Sequence, residues 1–242
     1  MAPAPALLAS DRKPLSQTEQ AYEAIKRQII ELHLPPGSQF SEGRLATVAG
    51  TSKTPVREAL VRLQRDGLVE AMPRSGYRVA PVTLRDTRDL CEFRSLLECE
   101  CAERAAIRGI PDSDLKRMRE LLRALHMSHD VPANLTKFLS LNFEFDMTIA
   151  QASGNDRLVA ALARLFDEIE RVLRLAMQIM PWSPIAAAER QQIYDALAAR
   201  DGVRAREAMR QRTQTSQLDI LSALMASSSI DAASIGLPAA AI

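Results

Sequence analysis

Apolar residues recur at helical spacing along most of this 242-residue chain. Tyr22, Ile25, Ile29 and Leu32 mark an amphipathic helix over 16–33. "LPPGSQF" ends it, since two prolines and a glycine cannot continue a helix. Ser41 is a natural N-cap for a short helix, "SEGRLATVA", and "GTS" turns the chain into a third over 53–65. There Val56, Ala59, Leu60 and Leu63 form one apolar face that must pack on the preceding helices. After Gly67 the period shortens: "LVEAM" and "YRVAPV" read as strands joined by "PRSG", a hairpin signal. From about 83 onward helices return, near 83–108, 112–128, 133–153, 155–180, 184–200 and 202–225, with "GIPDSD", "HDVPA", "SGND", "MPWSP" and "RDG" between them.

The predicted fold is mainly α, a winged helix-turn-helix over 15–82 followed by an all-α antiparallel bundle over 83–225. Residues 1–14 and the low-complexity 226–242 read as flexible tails.

Composition narrows the function classes. Hydrophobic residues at 47% and charged residues at 25% permit a real core, and 9 glycines with 4% aromatics favour helix. The net charge is only +1, so contact with nucleic acid must come from local charge placement. No run of about 18 apolar residues exists to span a membrane. "MAPAPALLAS" lacks the basic start of a signal peptide and is expected to be disordered. Cys91, Cys99 and Cys101 are too few and too close for a disulfide framework and read as small core residues in a reducing cytoplasm. No P-loop, GxGxxG, GxSxG or HExxH occurs, and no His neighbours a nucleophile, so neither an enzyme nor a cofactor is expected.

The basic nose of the 53–65 helix carries the clearest chemistry. Lys53, Thr54 and Arg57 project from its first turn, away from the apolar face; Ser52 can cap it, and Pro55 is tolerated where N–H groups have no intrahelical partner. A helix fits the DNA major groove, and its N-terminal side chains reach base edges there. Arg44 on the preceding helix and Arg74, Ser75 and Gly76 at the hairpin tip complete the candidate set facing double-stranded DNA, with Ser52, Lys53, Thr54 and Arg57 at its centre. Arg62 and Arg65 point elsewhere and read as solubilising or domain-contact residues.

The stretch "TPVREALVRLQRDGLV", with "PPGSQFSEGRLA" before it and "SGYRVAPV" after, resembles the DNA-binding domain of the GntR family of bacterial regulators over 16–82. Lys53 departs from the commoner arginine, keeping the charge but losing the bidentate fork, and Gly43 replaces a polar residue. "LCEFRSLLECECAERAA", "FEFDMTIAQASGNDRL" and "AAAERQQIYDALAARDGVRAREAMRQR" are similar to the FCD-type sensor domain of the FadR-like branch. That resemblance implies an antiparallel helical bundle around an effector cavity, where many relatives hold a divalent metal through one Asp and three His. In this chain those positions carry Asn142, Asp146, Arg190 and Arg212. The only histidines, His33, His126 and His129, lie elsewhere, and "HMSH" reads as solvent-facing, so no metal is expected.

Periodicity supports the overlay. Asn142 and Asp146 share a stripe with Phe138, Phe145 and Ile149; Arg190, Arg212 and Arg94 each lie on an apolar stripe of their own helix. Buried charge is costly unless paired, so these residues should converge. Either Asp146 pairs with Arg190 or Arg212 in a structural plug, or three arginines against one carboxylate leave a surplus that an organic acid completes, since Arg forks match carboxylates. The resulting expectation is a homodimeric, ligand-responsive repressor of a palindromic operator; a DNA-binding module whose helical half only dimerises is the alternative.

Overall fold

The computed structural model describes residues 16–73, 76–126, 135–180 and 185–226. The expected tails, the hairpin-tip residues Arg74 and Ser75, and His129 lie outside these residues, with Ala226 the last one described. Apart from Ile30–Leu32, residues to Ala80 form one compact unit and residues from Pro81 form a second.

The first unit holds α1 (Gln17–Ile30), β1 (Gln39–Phe40), α2 (Glu42–Ala49), α3 (Lys53–Arg65), β2 (Val69–Met72) and β3 (Gly76–Val79). Ser41 caps α2, its side chain accepting from the Arg44 N–H at 3.4 Å, and Gly50 ends it in the left-handed region at φ 61°. The face predicted for α3 is the buried one: Val56, Ala59, Leu60 and Leu63 pack with Ile25 and Ile29 of α1 and Leu45 of α2. Tyr22 donates to Asp66 at 2.8 Å, tying α1 to the turn where α3 ends.

Two expectations change here. Ser52 sits at the N-cap of α3 in extended conformation, yet its side chain makes no capping hydrogen bond. The sheet also has three strands rather than two, in the order β1-β3-β2, with Gln39 opposite Arg78 and Phe40 opposite Tyr77. Only two residues of the predicted breaker "LPPGSQF" pair, along the edge of β3, and they stack Phe40 on Tyr77 at 6.2 Å.

The second unit contains α4 (Leu84–Arg108), α5 (Asp112–His126), α6 (Leu135–Ala152), α7 (Asp156–Ile179), α8 (Ile185–Ala198) and α9 (Gly202–Ala226). Thr83 caps α4 and Asn155 caps α7, each through its side chain. Helices α4 and α9 run antiparallel along each other: Ser95 meets Thr213, Glu98 meets Arg212 and Glu103 meets Arg206. All three cysteines are buried and free, as expected of small core residues. No helix among the described residues is long and apolar enough to cross a membrane.

Candidate DNA interface and effector cavity

On the first unit, Arg44, Ser52, Lys53, Thr54, Arg57 and Gly76 are all exposed. The Pro55 and Val56 positions are buried directly beneath, so packing of α3 pushes its first-turn polar side chains outward. Gly76 has φ 91°, and a Cβ there would come within 2.7 Å of the Phe40 carbonyl oxygen, so the wing needs a glycine at this point. Arg57 is not a free fork. Its Nε and Nη2 donate to the two oxygens of Glu42 at 2.9 and 2.8 Å, a bidentate pair that aims the guanidinium beside the α2 N-terminus. This bond, with Lys53 nearby, holds the Glu42 carboxyl below its ordinary range. Arg62 salt-bridges Glu19 and lies 4.0 Å over the Tyr22 ring, a packing role within the unit.

In the second unit Arg94, Asn142, Asp146, Arg190 and Arg212 line one cavity. Each is at most 4% exposed, so four helices do converge their polar residues, as the cost of isolated buried charge requires. The cavity is small, about 20 Å³, roughly the space of one water.

A residue that sequence reasoning missed organises the cluster. Glu98, one turn beyond Arg94 on α4 and 2% exposed, accepts from Arg94 Nε at 2.9 Å and from Arg212 Nη1 at 2.9 Å. Arg212 also donates through Nη2 to Asp146 Oδ2 at 2.7 Å, while Arg94 Nη2 stands 3.6 Å from the same oxygen. Arg212 thus bridges carboxylates from α4 and α6. With Glu98 and the lining Glu189 and Asp219 counted, three arginines face four carboxylates, so the surplus of positive charge expected from the sequence is not there. Glu189 and Asp219 lie farther round the wall, and Glu189 accepts the Thr215 hydroxyl at 2.6 Å.

Burial raises the cost of every charge here, and the neighbours decide each outcome. For Glu98 burial pushes upward, but Arg94 and Arg212 outweigh it and hold the carboxyl below its usual value. Asp146, with Oδ1 unpartnered, is pushed up by burial despite Arg212. Arg190 is pulled down to about 9, first by burial and then by repulsion from Arg212.

These residues do not fit a divalent metal. Two of the four positions are guanidiniums, none is an imidazole, and the carboxylate oxygen Asp146 Oδ2 is already taken by Arg212. Among the described residues, no group of three His, Cys, Asp or Glu gathers where a metal could sit.

A winged helix-turn-helix with an exposed basic nose, joined in one chain to a helical bundle built around a small polar cavity, defines a DNA-binding transcriptional regulator rather than an enzyme. The FCD domain matches residues 89–215 and the gntR family of bacterial regulatory proteins matches 17–79, so the chain belongs to the GntR regulators that carry an FCD domain. It is 28% identical over 193 residues to an HTH-type transcriptional regulator of Streptomyces ambofaciens, covering 78% of each chain. It is 25% identical over 202 residues to the HTH-type transcriptional repressor RspR of Escherichia coli K12, covering 84% of this chain and 87% of that one. The fold matches E. coli McbR/YncC with a TM-score of 0.73 at 24% identity, over 87% of this chain and 99% of the other.

Proposed function

We propose that the chain is a repressor that binds a short palindromic operator as a two-fold dimer and is released when a small organic acid enters the arginine-lined cavity, without a metal. Repression is the role named for its relative RspR. Dimerisation is supported by Phe93 and Leu96 on α4 and Leu218 and Met225 on α9, large apolar side chains that the bundle leaves exposed. A two-fold dimer places its two α3 helices on half-sites about one helical turn, or a multiple of it, apart.

The observation that carries the effector class is the convergence of three buried guanidiniums on one cavity, where Arg190 is pulled down to about 9 first by burial and then by Arg212. An anion would offset that repulsion and accept from planar donors suited to a carboxylate. A second reading has its own support: Glu98 occupies two arginines, and only about 20 Å³ stays open, so the cluster would be a structural plug in a bundle that only dimerises.

A panel of mono- and dicarboxylic acids separates the two. A true effector at about a hundred times its dissociation constant adds roughly 2.7 kcal/mol of stability. The same acid should release operator DNA in a gel shift, before and after chelator treatment alike. If no acid moves the melting curve, the plug reading stands and the acid-release reading fails.

A further inference from the structure

A second cavity lies away from the bundle centre, an open groove of about 570 Å³ between α5 and α8. It shares no described lining residue with the central void. Leu122 and Tyr194, both buried, form its floor, and the exposed Ala188 extends that apolar strip. One wall carries Arg119, Arg123 and His126, which follow each other at helical spacing along one face of α5. The other wall carries Gln191 of α8. None of the described residues that line the groove is a carboxylate.

Two of these side chains are already held in place. Arg119 Nη2 donates to the Tyr194 hydroxyl at 2.8 Å, and its guanidinium stands 5.6 Å from the ring centre, so α5 and α8 are joined across the floor. Accepting that bond leaves the Tyr194 hydroxyl proton available to a further partner. Gln191 Nε2 donates to Asp195 Oδ1 at 2.8 Å, which ties the neighbouring carboxylate to an amide rather than to an arginine. Arg123 has no hydrogen-bond or ion-pair partner among the described residues. Other exposed arginines of the same unit do find one: Arg117 pairs with Glu144, and Arg206 with Glu103.

The missing partner can be read from these donors. Two guanidiniums rooted one turn apart and a hydroxyl on the facing helix donate from different directions, whereas a planar carboxylate matches a single fork. A phosphate monoester offers three acceptor oxygens and carries about −1.5 to −2 charge at neutral pH, which balances two arginines. The groove far exceeds a phosphate and lies within the size range of small-molecule sites, leaving the apolar strip for an organic body. We propose that the α5–α8 groove is a second ligand site, for a small phosphate monoester. Arg119 and Arg123 hold its head, and Leu122, Ala188 and Tyr194 carry its body. This site is independent of the acid-release reading, although α8 is a wall common to both: Arg190 lines the central void and Tyr194, one turn later, the groove.

The test uses three probes on the purified full chain, by titration calorimetry and thermal shift: phenyl phosphate, inorganic phosphate and benzenesulfonate. Phenyl phosphate should bind about tenfold or more tightly than inorganic phosphate, which lacks the body, and than benzenesulfonate, which carries only a single charge. Arg123→Glu should weaken phenyl phosphate about tenfold or more yet melt like wild type without ligand, because the side chain is exposed and unpaired. Arg57→Ala, in the basic nose of the other unit, should bind phenyl phosphate like wild type. Absence of both heat and melting shift with phenyl phosphate overturns the site. So does binding that survives Arg123→Glu or is lost in Arg57→Ala, since the phosphate then sits elsewhere. Equal binding of benzenesulfonate overturns the phosphate assignment, and equal binding of inorganic phosphate overturns the organic body. None of these results bears on release by carboxylic acids, which the acid panel decides separately.

Discussion

Replacing Glu98 with glutamine keeps the size and shape of a side chain at the centre of the bundle and removes only its charge. In the wild type both Glu98 oxygens are engaged, by Arg94 Nε and Arg212 Nη1, each at 2.9 Å. Glu98→Gln removes the carboxylate that Arg94 and Arg212 share, so the net charge of the cluster rises by one. Removing one partner of a buried ion pair costs about 3–5 kcal/mol, and that figure should hold here because Asp146 continues to anchor Arg212. At about 2–4 °C per kcal/mol for a chain of this length, the helical unit should melt roughly 6–20 °C lower. The pH dependence has a definite sign. Glu98 is held below its unfolded value of 4.5 by the two arginines, so its contribution is complete above that value and is lost as pH falls through the lower folded value. Wild type and variant should therefore differ most at neutral pH and converge in acid. Urea unfolding followed by far-ultraviolet circular dichroism, at neutral pH and in acid, measures both quantities. A variant within about 1 kcal/mol of wild type at neutral pH, or a gap that widens in acid, refutes the account of Glu98 as the shared anion of the cluster.

Two further outcomes follow from the geometry. Arg57→Ala should weaken operator binding roughly tenfold or more per half-site while leaving helical content unchanged, because the side chain is exposed and contributes nothing to the core; equal affinity in a gel shift at fixed salt would remove Arg57 from the readout. Burial pushes the Cys91 and Cys101 thiols up to about 11 and raises Cys99 as well, so a thiol reagent at neutral pH should react with all three only after urea is added; rapid labelling of the native protein would contradict the packing of α4.

The helices are legible because their apolar residues repeat at the helical period and their ends carry caps and breakers: "SGND" predicts a start at 155, and α7 begins at Asp156 behind its Asn155 cap. Strand β1 is not legible, since two residues cannot display a period and this pair exists only because the edge of β3 accepts it. The convergence of Arg94, Asn142, Asp146, Arg190 and Arg212 follows from polar residues on apolar stripes. Glu98 escapes the same logic because a Glu one turn after an Arg normally reads as a solvent-facing helical pair, and only the antiparallel approach of α9 reveals it as buried. The Arg57–Glu42 pair is hidden for a related reason: fifteen positions separate the partners, and the α2–α3 turn alone brings them together. The Ser52 side chain illustrates the opposite error, a residue of the right type at a cap position that makes no cap bond.

Arg212 joins α4 and α6 from α9 by a cation that is covalently part of the chain. A metal ion doing that work would have to be acquired after synthesis, could be stripped by a chelator, and could be exchanged for a competitor of higher affinity. A guanidinium arrives when α9 docks and cannot dissociate from the chain. Assembly of the bundle and placement of this cation between α4 and α6 are therefore a single event.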